Sequence, residues 1–146
     1  VGQDRLVCAF AAAQLYGAPC VVVDLGTAIT FDVVSAKKEY LGGLIAPGIR
    51  LSAETLFQQT ALLPRISIRK PKQLIGKNTE ESILSGMFYG YGEMISGVID
   101  LLVKELGQTP KIVITGGFSD VMTRYVPQYP CVVDKELIFK GIAMMA

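Results

Sequence analysis

The sequence predicts a mixed α/β fold, in which a sheet opens as an antiparallel three-strand meander and helices pack on it. Three observations predict this. Three β-like runs, residues 20–24, 27–34 and 39–45, follow one another with only turn residues between them, the pattern of an antiparallel meander. Helical periodicity brackets them, over residues 4–16 and from residue 49 onward. Beyond residue 106 two short apolar runs alternate with helical stretches, which makes the whole a mixed sheet with helices on it.

The first helix, 4–16, takes Asp4 as its expected N-cap, and Leu6, Phe10 and Ala13 recur at one-face spacing. Gly17 and Pro19 end it. The strand 20–24 carries three consecutive valines and ends on Asp24, as expected of a strand buried on both faces. In 27–34, alternation places Ile29, Phe31 and Val33 on one face. Ser35 to Lys38 form a polar turn, and Gly42 and Gly43 in the third strand predict a bulge or a close backbone approach.

Pro47-Gly48 turns the chain into a helix over 49–60, with Ile49, Ala53, Leu56, Phe57 and Thr60 on its inner side. Residues 61–77 read as a connector with a basic tilt, a solvated loop on the simplest account. A long helix follows over 79–106, capped by Asn78 or Thr79, with Glu80 and Glu81 favouring its N-terminal dipole. Its predicted stripe is Ile83, Met87, Met94, Ile95, Val98, Leu101 and Leu102, and Gly86 and Gly90 share a face that would allow close helix approach. Gly107 ends it. A strand at 111–115, a Gly116-Gly117 turn, a short helix over 119–125 stopped by Pro127, a strand at 131–134 and a helix over 135–146 complete the chain.

The chain has 146 residues, enough for one domain or one half of a two-lobed protein. At 51% hydrophobic and 18% charged it can build a core. A net charge of +1 argues against broad electrostatic capture of nucleic acid. With no histidine, Ser-His-Asp and Cys-His catalysis and histidine metal sites are excluded within these residues. Cys8, Cys20 and Cys131 are odd in number and lack C-x-x-C spacing, as reduced thiols of a cytoplasmic protein would be. No signal peptide is evident, and the V-G-Q-D-R opening without methionine suggests a fragment or a processed chain. No apolar run reaches the roughly 20 residues a membrane span needs.

Four constellations could carry chemistry. Gly2-Gln3-Asp4-Arg5 pairs a carboxylate with a guanidinium suited to a carboxylate or phosphate, or it simply caps a helix. Asp24-Leu25-Gly26-Thr27, at a strand-to-strand turn, suits a phosphate or a cation, or is a plain hairpin turn. Gly76-Lys77-Asn78-Thr79 departs from a phosphate-binding P-loop, with Pro71 at the first glycine position, Asn78 at the hydroxyl position and no preceding strand. It reads as a capped helix start or as an N-terminus that holds an anion. Thr115-Gly116-Gly117 ends a strand and opens a helix, where α/β folds place nucleotides, or it is a tight turn.

In order along the chain, G-Q-D-R, V-V-D-L-G-T-A-I-T-F-D-V-V, Y-L-G-G-L-I-A-P-G, L-L-P, G-K-N-T, S-G-x-x-x-G and T-G-G resemble the type III pantothenate kinases almost end to end. The resemblance implies a ribonuclease-H-like lobe of the actin-like ATPase fold, spanning 1–146, as the C-terminal half of a two-lobed kinase. It implies pantothenate and ATP as substrates in the first step of coenzyme A synthesis, with magnesium, a monovalent cation (potassium or ammonium) and a homodimer. By the same resemblance Asp4 is the proton acceptor, and Gly2, Gln3, Asp4 and Arg5 form the pantothenate turn, with Arg5 holding the carboxylate. Asp24 is the monovalent-cation ligand, Thr27 contacts ATP phosphate, Gly116 and Gly117 lie near the adenosine, and Thr79 reaches pantothenate from the neighbouring subunit. Gln3 stands where the family usually has alanine, and the N-terminal lobe's D-x-G-N-T motif is absent from these residues. The alternative is a non-catalytic regulatory or dimerisation lobe on the same fold.

Overall fold

The computed structural model describes residues 2–126 and 128–146. Its five strands lie in the order β3-β2-β1-β4-β5. β1 (Cys20–Leu25), β2 (Ala28–Val34) and β3 (Tyr40–Pro47) form the antiparallel meander. β4 (Lys111–Thr115) and β5 (Cys131–Val133) extend it in parallel from β1. β1 is the central strand, which explains its nearly unbroken burial.

Alternation along each strand sorts two cores. Val21, Val23, Leu25, Ile29, Phe31, Val33, Ile112 and Ile114 face one layer. That layer holds α2 (Ile49–Gln59), α3 (Thr79–Ser85), α4 (Tyr91–Leu106) and α5 (Ser119–Met122). Cys20, Val22, Val34 and Val113 face α1 (Gln3–Tyr16), with Leu137 of α6 (Leu137–Met145) in the same cluster. Gly141 lets α6 close on α1, since a Cβ there would stand 2.6 Å from a Val7 methyl. Each large apolar side chain fully buried this way stabilises the fold by about 1.5–3 kcal/mol.

Several expectations change at this level. Gly2, not Asp4, is the N-cap of α1, and no side chain caps it. The inner face of α1 is small, Cys8, Ala9, Ala11, Ala12 and Ala13, because the helix lies close on the sheet. Leu6 and Phe10 are consequently exposed. In α2 only Ile49 and Ala53 are buried, and Thr60 lies outside the helix and exposed.

The long helix is interrupted by a π turn at Gly86–Gly90. Its buried stripe is Leu84, Phe88, Ile95 and Ile99, one residue on from most of the predicted positions. Met87, Met94, Val98 and Leu102 flank the stripe half-buried, while Leu101 is 63% exposed. A Cβ on Gly86 or Gly90 would meet nothing beyond its own helix backbone within 4 Å among the described residues; the close approach falls at Gly92, which packs under the Tyr125 carbonyl. The 119–125 helix is α5 followed by a 3₁₀ turn at Thr123–Tyr125, and the expected stop at Pro127 lies outside the described residues.

Candidate active site

Four strand ends meet at one edge of the sheet. β1 and β4 end there, and β2 begins there, because Asp24 pairs with Thr30 and with Thr115. Ala28 pairs with Pro47, so β3 ends and α2 begins at the same edge. Ligand sites of open α/β sheets form outside the carboxyl ends of the strands.

Register also assigns side chains to faces, because directly paired residues project the same way. Asp32 pairs with Val22, and Asp24 with Thr30 and Thr115. These side chains therefore share the face covered by α1. Asp24 is half-buried and accepts no hydrogen bond from the described residues. Its carboxyl is raised above the ordinary range, first by burial and then by the charges of Asp32 and Asp4. The carboxylate sits against the T-G-G turn: a Cβ on Gly116, whose φ is +97°, would lie 2.6 Å from Asp24 Oδ1 and 2.6 Å from the Leu25 amide. The Phe118 amide donates to the Leu25 carbonyl at 3.2 Å and closes that turn.

Thr27 is exposed at the β1–β2 turn. Its carbonyl accepts from the Gly48 amide at 2.9 Å, which ties the start of α2 to the turn. A cavity of about 280 Å³ opens here, lined by Gly26, Thr27, Arg50, Leu51, Glu54 and Phe118. The Arg50 guanidinium lies 5.7 Å from the centre of the Phe118 ring. A polar turn, a cation and an aromatic face suit a phosphorylated aromatic ligand. A larger cavity, about 430 Å³, lies at the opposite end of the sheet around Pro19, Pro110 and Cys131; it contains no carboxylate and only Lys111 as a charge.

The Gly2–Arg5 turn opens α1 on the Asp24 face. Gly2, Gln3 and Asp4 are exposed, and the Asp4 side chain makes no hydrogen bond or ion pair among the described residues. Arg5 points inward. Its Nε donates to Asp32 Oδ1 at 2.8 Å, and Nη2 lies 2.7 Å from the same oxygen. The Tyr40 hydroxyl donates to that oxygen as well, at 2.7 Å. Burial, then this bond to Asp32, pushes the Tyr40 phenol up to about 12.

Thr79 belongs to a different assembly. It is exposed at the start of α3, in the layer on the other sheet face. Asn78 caps that helix, accepting from the Glu81 amide at 2.8 Å. Glu81 reaches back to the connector, accepting from the Lys72 amide at 3.1 Å and pairing with Arg69 at 2.7 Å. Gly76 lies flat on α3, where a Cβ would come 2.6 Å from Ser82 Cα. The structure thus packs Gly116 against Asp24, brings the Asp4 charge to bear on Asp24 and seats Arg5 on Asp32 of the same sheet face; Thr27 lines the cavity beside α2, Gly117 is exposed, and Thr79 is built separately.

Sequence reasoning missed Asp32, Tyr40, Arg50 and Phe118. Asp32 had a signal: a carboxylate inside an otherwise apolar strand must find a partner if buried. Among the described residues no three acidic or cysteine side chains gather as a metal cluster.

A protein-family model described as type III pantothenate kinase matches residues 1–101. A type III pantothenate kinase from Koribacter versatilis is 55% identical over 122 residues, covering 84% of this chain and 44% of the relative. The chain spans about half the length of the curated relatives it matches. Among solved structures, a Campylobacter jejuni protein described as a Baf family transcriptional activator superposes with a TM-score of 0.65 at 28% identity, over 99% of this chain and 63% of that one. The activator of 2-hydroxyisocaproyl-CoA dehydratase from Clostridium difficile, with bound ADPNP, gives 0.53 at 13% identity over 97% and 65%. That likeness concerns the fold alone, which is the actin-like ATPase fold.

Proposed function

Because the chain belongs to the type III pantothenate kinase family, we propose that it is the pantothenate-binding and base half of a kinase that moves the γ-phosphoryl group of ATP to the hydroxyl of pantothenate. The observation that supports this reading is the packing of Gly116 against Asp24, with Arg5 held on Asp32 of the same sheet face and the Asp4 side chain without a partner among the described residues. Phosphoryl transfer is mostly positioning and charge stabilisation, and it needs no histidine. Asp4 accepts the hydroxyl proton as the oxygen attacks phosphorus. The guanidinium of Arg5 faces the pantothenate carboxylate. Thr27 donates to ATP phosphate at the turn, and the Gly116-Gly117 backbone, with the neighbouring Phe118 and Arg50, flanks the adenosine.

Asp24 fits a monovalent cation. It is half-buried, accepts no hydrogen bond from the described residues, and has its proton affinity raised first by burial and then by the charges of Asp32 and Asp4, so a cation there offsets negative charge. Asp24 would hold such a cation, which together with magnesium on the ATP phosphates would supply charge neutralisation at the phosphoryl group. Asp24 and Thr27 hold the ligands in register; the residues of this chain form one wall of the ATP site. In this reading the opposite wall is a second lobe with a D-x-G-N-T motif, residues 1–146 are the C-terminal ribonuclease-H-like lobe, and the protein is a cytoplasmic homodimer whose partner subunit supplies Thr79. No helix among the described residues is long and apolar enough to cross a membrane.

The test uses the full-length protein and pantothenate-dependent ADP release. Asp4→Asn lowers kcat by about 10²–10⁴-fold while pantothenate KM stays within a few-fold. Unchanged turnover removes the base role from Asp4. The likeness to a protein described as a transcriptional activator favours a second reading, a non-catalytic regulator on this fold. Absence of pantothenate-dependent ADP release in the unaltered protein would select it.

A further inference from the structure

The buried carboxylate of Asp32 takes no part in the chemistry above, yet it organises the residue that faces the substrate. Asp32 is 1% exposed. Two hydrogen-bond donors, Arg5 Nε and the Tyr40 hydroxyl, converge on its Oδ1 at 2.8 and 2.7 Å, and Arg5 Nη2 forms an ion pair with the same oxygen at 2.7 Å. A charge buried so deeply is tolerable only when paired and hydrogen-bonded. Gly43, the residue opposite Asp32 on β3, makes room for the pairing. A Cβ there would stand 2.8 Å from Arg5 Nη2 and overlap the Phe31 carbonyl oxygen. Nη1 of Arg5 has no partner among the described residues, and the side chain remains 19% exposed.

We propose that Asp32 and Tyr40 are positioning residues for Arg5: they hold one edge of its guanidinium against the sheet, so that the other edge stands ready beside Asp4 as a pre-set anion fork. The inference rests on the pantothenate reading for the identity of the anion, and on the geometry alone for the clamp. A guanidinium fixed in advance loses less freedom on binding than one swinging from a flexible stem. The network also holds its state: arginine stays protonated and Tyr40 remains a phenol donor.

The experiment compares Asp32→Asn, Tyr40→Phe, Arg5→Ala and the double variant Asp32→Asn/Arg5→Ala in the full-length protein. Asp32→Asn raises pantothenate KM by about tenfold, the loss of about 1.4 kcal/mol expected for a bond to a charged group. Its kcat stays within about threefold and its ATP KM within about twofold, whereas a merely structural lesion would reduce active enzyme and leave KM in place. Tyr40→Phe moves pantothenate KM in the same direction by less. The double variant matches Arg5→Ala within about twofold, because Asp32 acts through Arg5. In parallel, hydrogen exchange at Arg5 Nε–H, read by NMR, is slow in the unaltered protein and fast in Asp32→Asn. An unchanged pantothenate KM in Asp32→Asn alongside a raised one in Arg5→Ala overturns the proposal and leaves the kinase reading standing. Loss of pantothenate phosphorylation from the unaltered protein removes the kinase reading instead, and equal Nε–H exchange in both proteins would then overturn the clamp.

Discussion

Gly116→Ala and Gly117→Ala make a matched pair that tests whether the T-G-G turn is built around Asp24. The two glycines are adjacent in sequence and differ completely in surroundings. Gly116 has φ +97°, and an added Cβ would meet Asp24 Oδ1 at 2.6 Å, the Leu25 amide at 2.6 Å and the Leu25 carbonyl carbon at 2.7 Å. Gly117 has no such φ and nothing within 4 Å. For Gly116→Ala, a left-handed backbone costs about 1–2 kcal/mol, and forcing a methyl into a filled site costs about 1–3 kcal/mol. Together these predict a loss of about 2–5 kcal/mol. Gly117→Ala, on the surface, stays within about 0.5 kcal/mol. With a urea slope of about 2 kcal/mol/M, the Gly116 variant's unfolding midpoint falls by about 1–2.5 M, and the Gly117 variant's barely moves. Both are measured by urea titration in the same full-length background. Cβ displaces the Asp24 carboxylate as well, so activity falls in the first variant. Equal midpoints in the two variants would refute the packing argument and, with it, the reading that the T-G-G turn is built around Asp24.

Asp24→Asn stabilises the ligand-free protein at neutral pH while abolishing turnover. The folded carboxyl is raised above its unfolded value, so the native state holds more protons between the two values, and stability falls as pH rises through that window. A pH series of melting temperatures checks it: the unaltered protein loses stability there, the variant loses less. Asn78→Ala removes the cap on the Glu81 amide and costs about 1 kcal/mol, seen as a lower thermal midpoint. Gly86→Ala and Gly90→Ala, at exposed helical positions with nothing within 4 Å, each stabilise an isolated protomer by about 0.5–1 kcal/mol. If that face instead packs against a second copy, the same substitutions weaken assembly in sedimentation measurements.

The place of every strand along the chain and the antiparallel meander were legible because their signals are local: three valines in a row, a two-residue alternation, glycines and prolines at the bends; the parallel pairing of β4 and β5 was not. The inner faces of the helices were less so. On α1 the large residues Leu6 and Phe10 look like a core stripe, but the sheet lies so near that only alanine and cysteine fit beneath. The stripe of the long helix moved by one residue for a related reason: spacing alone left out Leu84, Phe88 and Ile99, and no composition rule announces a π turn. Asp4, Arg5, Asp24 and Thr27 were visible as motifs. What could not be read was their company. Arg5 and Asp32 stand 27 positions apart, and only the β2–β3 register puts Gly43 opposite Asp32 so that the arginine can lie between them.

The π turn at Gly86–Gly90 has a consequence for insertions and deletions. It stores one residue more than an α-helix needs for the same advance. Deleting a single residue between Ser85 and Tyr91 would let the helix run straight with no backbone break. The segment before it would keep its phase about the axis, whereas the same deletion within α4 would rotate that segment by about 100° and shift it by about 1.5 Å. Thr79, seven residues ahead of Gly86, would point elsewhere in the second case and not in the first. The spare residue thus makes the π turn a place where this helix can shorten without turning the α3 tip. A one-residue deletion there is a milder lesion to Thr79 than one in the straight run of α4.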